Sequence, residues 1–212
     1  MSTIYQIIAG HPALDFVNTL DNRFSEDGPR ELLNSYADLL SFSRQAGLLD
    51  PAEAAVLATR EASAKAQSNQ AAGVLRAARE LREGVAGLLY TTLDESRQPP
   101  FLDMQTLRRH FLRADEHREL VWRDDGDEAP RARWQWGSFA SELELPVWAI
   151  AQSAALLLTS PAMDHVRMCG SETCRWLFYD TSKNHSRRWC DMKVCGNRMK
   201  ARRFQKRCDR AP

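Results

Sequence analysis

Cysteine is absent from the first 168 residues of this 212-residue chain, and all five cysteines lie in the last 44. This distribution excludes a disulfide framework that runs through the whole chain. Ten glycines and nine prolines are too few for a collagen-like or low-complexity chain. The longest mainly apolar run, 145–158, is shorter than the roughly 20 residues that span a bilayer. The N-terminus also lacks a basic region ahead of an apolar stretch. The sequence therefore predicts a cytoplasmic protein with no membrane partner.

Charge is as unevenly distributed as cysteine. The formal net charge of the chain is only +1. Residues 1–168 contain 17 Lys and Arg against 24 Asp and Glu, a net −7, whereas residues 169–212 contain 12 against 4, a net +8. A basic segment of this kind favours an acidic partner, and nucleic acid is the most common one.

Helical periodicity dominates the first 160 residues, because apolar side chains recur at intervals of three and four. The predicted helices span about 12–22, 29–47, 51–67, 69–93, 103–117 and 146–158. The last of these is apolar on nearly every side, which indicates a central position. Two short aromatic-rich runs, 120–122 and 134–136, flank an acidic stretch and predict a β-hairpin near 119–138. We therefore expect a mainly α protein with a small hairpin, in which residues 1–160 form a helical domain.

Four cysteines have the spacing of a metal site. Cys169 and Cys174 form one pair, Cys190 and Cys195 form the other, and 15 residues separate the pairs. Two such pairs suit one tetrahedral zinc ion with four thiolate ligands, which leaves no open position for catalysis. We therefore expect one structural Zn²⁺ and a treble-clef-like finger over 165–208. Its predicted elements are a first cysteine pair, a hairpin of 175–179 with 187–189, and a basic helix over about 191–207.

Other interpretations of these residues stay open at this point. The cysteines could be buried and reduced without metal, or form disulfides, although their spacing differs from the redox Cys-x-x-Cys motif. His185 could replace one cysteine as a ligand, but it lies in the turn between the pairs. Cys208 is most simply a fifth thiol that does not bind the metal.

The residues around the cysteines resemble a known family. Cys195-Gly196-Asn197-Arg198 is the signature of CGNR zinc fingers, and the stretches 176–184 and 186–190 are similar to the rest of that finger's frame. Residues 10–20, with the sequence GHPALDFVNTL, are similar to the opening of the ABATE domain, which precedes this finger in bacterial stress-related transcription regulators. The resemblance covers nearly the whole chain and implies DNA binding and transcriptional regulation.

The finger offers several groups for contact with nucleic acid. With four thiolates on Zn²⁺ counted, the segment 169–212 stays basic at about +6. Asn197 and Arg198 carry the side-chain types that read base edges, but Asn197 could instead cap the zinc loop, and Arg198 could pair with Asp180 or Asp191. The candidate nucleic-acid-binding residues are Arg187, Arg188, Asn197, Arg198, Lys200, Arg202, Arg203, Lys206 and Arg207.

Three partners other than DNA also fit the sequence. Aromatic residues of the finger could stack on the bases of RNA, although packing around the hairpin is the simpler role for Trp176, Phe178, Tyr179 and Trp189. The basic segment could instead dock on a protein, including the acidic half of this chain. In the first helix, His11, Asp15 and Asn18 could line a pocket for a small effector, or they could fix local backbone. Because the chain lacks phosphate-loop, nucleophile-elbow and zinc-protease motifs, we expect no enzyme.

Overall fold

Helices make up most of the described chain. The computed structural model describes residues 4–63, 65–93, 101–122 and 132–208, with backbone alone at 101–103, 203, 204 and 206–208. Within these ranges the α-helices are α1 (Pro12–Val17), α2 (Tyr36–Gln45), α3 (Pro51–Ala62), α4 (Lys65–Leu93), α5 (Phe101–Glu116), α6 (Leu145–Leu158) and α7 (Asn197–Cys208). Short 3-10 segments span Gly137–Ser141 and Pro161–His165, and a π-helical turn spans Met192–Gly196.

Three small antiparallel sheets of two strands each accompany the helices in the described residues. Their strands are β1 (Leu20–Asp21) with β2 (Arg30–Glu31), β3 (Glu119–Trp122) with β4 (Ala132–Gln135), and β5 (Val166–Met168) with β6 (Leu177–Tyr179). The predicted hairpin near 119–138 is confirmed, with Leu120 opposite Trp134. The mainly α class is confirmed as well.

The hydrophobic core forms around α6, as its sequence predicts. Helix α6 contacts α1, α2, α4 and α5, and most of its residues are buried, among them Trp148 and Ile150. The same cluster of buried side chains continues into the C-terminal segment through Val166, Leu177 and Phe178. The finger therefore shares packing with the helices, and a division of the chain near residues 160–165 stays a prediction.

Three predicted helices are shorter in the structure. Helix α3, predicted to reach about residue 67, ends at Ala62, and local hydrogen bonds explain the other two differences. Helix α1 ends at Val17 because the Thr19 hydroxyl donates to the Phe16 carbonyl and the chain then turns into β1. Helix α2 begins only at Tyr36 because Arg30 and Glu31 pair with β1 instead. Ser35 caps α2 in a reciprocal capping box with Asp38, which fixes its first residue.

The predicted hairpin of 175–179 with 187–189 is wrong. Strand β6 pairs with β5, which precedes the first cysteine pair, and 187–189 form no strand. The reason is Asp180, whose buried carboxylate accepts hydrogen bonds from the backbone N–H groups of Ser182 and Arg187. These bonds fold the chain away from β6. In sequence, one strand of this sheet therefore precedes the first pair of cysteines and the other follows it, whereas the predicted hairpin would have lain between the two pairs.

Candidate metal centre and basic surface

Four cysteine side chains converge at the C-terminal end of the fold. The sulfur atoms of Cys169, Cys174, Cys190 and Cys195 all lie within 4.8 Å of one another. The Cys174 and Cys190 sulfurs are 3.6 Å apart, and those of Cys190 and Cys195 are 3.7 Å apart. Zn–S bonds of about 2.3 Å in a tetrahedron place the sulfurs about 3.8 Å apart. The four cysteines therefore fit one structural zinc ion, as their spacing predicts, and His185 is not part of the cluster.

The first cysteine pair is held by the turn between β5 and β6. The Cys169 N–H donates to the Trp176 carbonyl at 2.8 Å, and the Cys174 N–H donates to the Ser171 carbonyl at 3.0 Å. Gly170 lies so close to the second pair that a side chain there would meet the Trp189 ring at 3.2 Å. A glycine at this position therefore allows the two halves of the site to approach each other.

The second pair is held by the turn that begins α7. The Asp191 carboxylate accepts the backbone N–H groups of Lys193 and Val194, and the Gly196 N–H donates to the Asp191 carbonyl at 3.1 Å. These bonds form the π-helical turn that carries Cys195 and leads directly into α7. The turn that carries Cys195 therefore also sets where the basic helix begins.

The thiols influence one another's protonation. Hydrogen bonds with the Cys174 and Cys190 thiols lower the pKa of Cys169, and hydrogen bonds with Cys169 and Cys174 raise the pKa of Cys190. The pKa of Cys174 is raised by its hydrogen bond to Cys169, and that of Cys195 is raised mainly by burial. Zinc binds thiolates, so metal binding must release the protons that the raised pKa values retain at neutral pH.

Arg187 is used by the finger itself. Its guanidinium donates to the carbonyls of Trp189 and Cys190 and lies 4.7 Å from the centre of the Phe178 ring. Its backbone N–H donates to Asp180. Although burial opposes ionisation of Asp180, hydrogen bonds from Ser182 and Arg187 keep its pKa below the ordinary value. Asp180 and Arg187 thus hold the loop that leads to Cys190.

The other basic residues of the finger project from it. Arg188, Arg198, Lys200 and Arg202 are exposed, and none has an ion-pair partner within 4.0 Å in the described part of the chain. Arg198 lines a cavity of about 190 Å³ together with three of the cysteines and Asp191. Among the described residues, no ion pair within 4.0 Å joins it to Asp180 or Asp191. The amide of Asn197 donates to the Lys193 carbonyl at 3.0 Å, which is the capping alternative. The side chains of Arg203, Lys206, Arg207 and Cys208 lie outside those that the structure describes.

The three candidate effector residues bind backbone groups. The Asp15 carboxylate accepts the N–H groups of Ile8 and Ala9 at 3.0 and 2.9 Å, and His11 caps α1 through the Ala13 N–H. Asn18 binds both backbone groups of Leu177, which lies in β6. These bonds favour the local structural role that the sequence left open, and the effector pocket stays a hypothesis.

Sequence reasoning missed the contacts that join the finger to the helices. The Trp176 ring N–H donates to Asp21 at 2.9 Å, and the Tyr90 hydroxyl donates to the Arg175 carbonyl at 3.0 Å. The Tyr179 N–H donates to the Ala9 carbonyl at 2.7 Å. Phe178 is fully buried and Trp176 is half-buried, so the finger aromatics pack as the simpler alternative expects. No local pattern marks such partners, because each pair is distant in sequence.

The fold and the cysteine cluster define a zinc-finger protein whose finger is packed on a helical domain. Comparison with family models agrees with this class. Residues 10–161 match ABATE, described as "Putative stress-induced transcription regulator", and residues 165–208 match the CGNR zinc finger. The chain therefore belongs to the ABATE family and carries a CGNR zinc finger; neither family is one of enzymes. No curated protein matches the chain. Among the helices that the structure describes, none is long and apolar enough to cross a membrane.

Proposed function

We propose that this protein is a cytoplasmic transcription regulator that binds DNA through the basic surface of its finger. That surface consists of Arg188, Arg198, Lys200 and Arg202 together with the further basic residues of α7. The observation that carries the proposal is the exposed positive charge of these four side chains, which have no ion-pair partner in the described chain. Three of them lie on α7. Unpaired cations attract phosphate, and their binding releases the counterions that surround the nucleic acid.

The shape of α7 supports the proposal. The helix follows the metal centre directly and packs mainly against the Met192–Gly196 turn, so most of its described side chains face solvent. A single projecting α-helix matches the width of the major groove. Arg198 is the best candidate for a base contact, because the Asn197 amide is already bound to Lys193. Arg203, Lys206 and Arg207 are included in the proposed surface because of their position in the sequence. Arg187 is not included, since its guanidinium holds the finger together.

Anchoring of the finger also supports this function. Three contacts from the helical domain, by Asn18, Asp21 and Tyr90, reach the segment 175–177. Since that segment follows Cys174 directly, the metal centre is held in a fixed orientation. A rigid mount lowers the entropy that α7 would lose when it docks on a duplex.

The test is binding of the full-length, zinc-loaded protein to a mixed-sequence DNA duplex, measured by fluorescence anisotropy at several salt concentrations. We expect affinity to fall steeply as salt rises. Replacement of Arg198, Lys200 and Arg202 by alanine should weaken binding and reduce the slope of log K against log salt by about 3, or about 1 for each phosphate contact removed.

A matched control separates a local contact from a change in net charge. Arg44, Lys65 and Arg76 are also two arginines and one lysine, exposed and without an ion-pair partner in the described chain, but they lie on α2 and α4. Their replacement by alanine should leave the salt slope nearly unchanged. Equal effects of the two triple variants, or no binding to duplex at low salt, would contradict the proposal. Tighter binding to single-stranded RNA than to duplex would favour the RNA alternative instead.

A further inference from the structure

The helical domain contains an open apolar groove that is separate from the finger's basic surface. It has a volume of about 810 Å³ and lies between the C-terminal part of α4, the middle of α5 and the end of α6. Its apolar lining consists of Leu88, Met104, Leu107, Phe111, Leu112 and Leu158. Met104 and Leu112 remain 48% and 46% exposed, so the described chain does not cover this groove. The volume lies in the range of small-molecule sites.

The polar lining of the groove has one sign of charge. Among the lining residues that the structure describes, the charged ones are Arg108 and Arg109 of α5, and none carries a carboxylate. Arg109 is paired with Glu80 at 2.6 Å. Arg108 is exposed and has no ion-pair partner within 4.0 Å in the described ranges. An apolar cleft with a single free guanidinium is complementary to an apolar molecule that carries one negative charge.

A neighbouring cavity has a different character. It measures about 510 Å³ and shares Arg108, Arg109 and Leu112 with the groove, but Arg113, Glu116 and Glu144 line it as well. Arg109 pairs with Glu80 and Arg113 with Glu116, so Glu144 remains to offset Arg108, and this cavity has no comparable preference for an anion. The charge complementarity therefore belongs to the larger, apolar groove.

We propose that the groove binds a small amphiphilic anion, with its apolar chain or rings along Leu107, Phe111 and Leu158 and its anionic group at Arg108. Leu158 is the last residue of α6 and Thr159 is its C-cap, and both line the groove. The chain continues from there to β5 and Cys169. The site therefore lies at the segment that leads from the helical domain to the finger, and it does not involve the residues proposed to contact DNA.

The test uses two fluorescent probes of similar shape on the full-length, zinc-loaded protein. The anion 8-anilinonaphthalene-1-sulfonate should bind saturably at one site, and the neutral N-phenyl-1-naphthylamine should bind more weakly. Arg108→Gln should weaken binding of the anion about tenfold, which is the usual contribution of one charged hydrogen bond. It should leave binding of the neutral probe nearly unchanged. Leu112→Glu and Met104→Glu should each lower the affinity for both probes at least tenfold.

Leu156→Glu is the matched control, because Leu156 is 63% exposed on α6 but does not line the groove. It should leave both probes unaffected. Arg108, Met104 and Leu112 are exposed, so their variants should fold, and circular dichroism checks this. Equal effects of Arg108→Gln on the two probes, or unchanged binding in Leu112→Glu, would overturn the proposal. A dimer in sedimentation velocity that Leu112→Glu dissociates would also overturn it, since a second copy would then cover the groove.

Discussion

The contact between Asn18 and Leu177 offers the sharpest test of how the finger is held. The Asn18 side-chain N–H donates to the Leu177 carbonyl at 2.9 Å, and its oxygen accepts the Leu177 N–H at 3.0 Å. Asn18 therefore takes the place of a strand partner on the edge of β6 that does not face β5. Both residues are buried, with Asn18 only 4% exposed. Asn18→Ala would leave two backbone groups unpaired in the interior.

Each unpaired buried group costs about 1–3 kcal/mol, so we expect Asn18→Ala to lower the free energy of unfolding by about 2–6 kcal/mol. Urea denaturation of the zinc-loaded protein measures this change, and hydrogen exchange should show the Leu177 amide losing protection. Asn34→Ala is the matched control, because Asn34 is exposed and its side chain makes one hydrogen bond, to the Glu31 carbonyl. The control should cost less than about 1 kcal/mol. A similarly small loss for Asn18→Ala would refute the reasoning, since it would mean that water or a backbone shift satisfies Leu177.

Two further predictions concern pH and metal. Burial raises the pKa of Asp15 to about 6, so the folded protein favours the protonated carboxyl. The stability that this protonated carboxyl contributes is therefore lost as pH rises through that value. The stability of Asp15→Asn relative to the parent should therefore increase by about 1 kcal/mol between pH 5 and 7.5 in urea denaturation, and a pH-independent difference would contradict the raised pKa. Elemental analysis should find about one zinc per chain, and its removal by a strong chelator should lower the thermal midpoint and release the 192–208 segment, because metal binding contributes to folding of a small finger. An unchanged midpoint and unchanged helix content without zinc would argue against a structural metal.

Local signals in the sequence were enough for several parts of the fold. The spacing of the four cysteines predicts the metal cluster, because short loops bring two sulfurs of each pair together whatever surrounds them. Proline suits the first turn of a helix, so Pro51 predicts the start of α3, which begins at Pro51 as expected. The unbroken apolar character of α6 predicts its central position, because such a helix has no face that favours water.

The finger shows where local signals stop. Residues 175–179 are strand-like, but nothing in them specifies which segment becomes their partner. The buried Asp180 carboxylate accepts a hydrogen bond from the Arg187 N–H, and β5 is the strand that pairs with β6. Arg187 looks like any other cation in the basic segment, and only its tertiary contacts assign it to the finger's own carbonyls.

The sequence by itself determined the class of this protein: a helical domain followed by a basic, four-cysteine zinc finger. Those features depend on spacing and composition within short segments. The tertiary structure decided how the two parts meet and which polar residues are free to bind a partner. Asp15 and Asn18 looked like candidate ligand contacts, but each is bound to backbone, Asn18 to a residue 159 positions away. The groove at Arg108 was invisible in the sequence for a similar physical reason, since parts of three helices must pack together to form it.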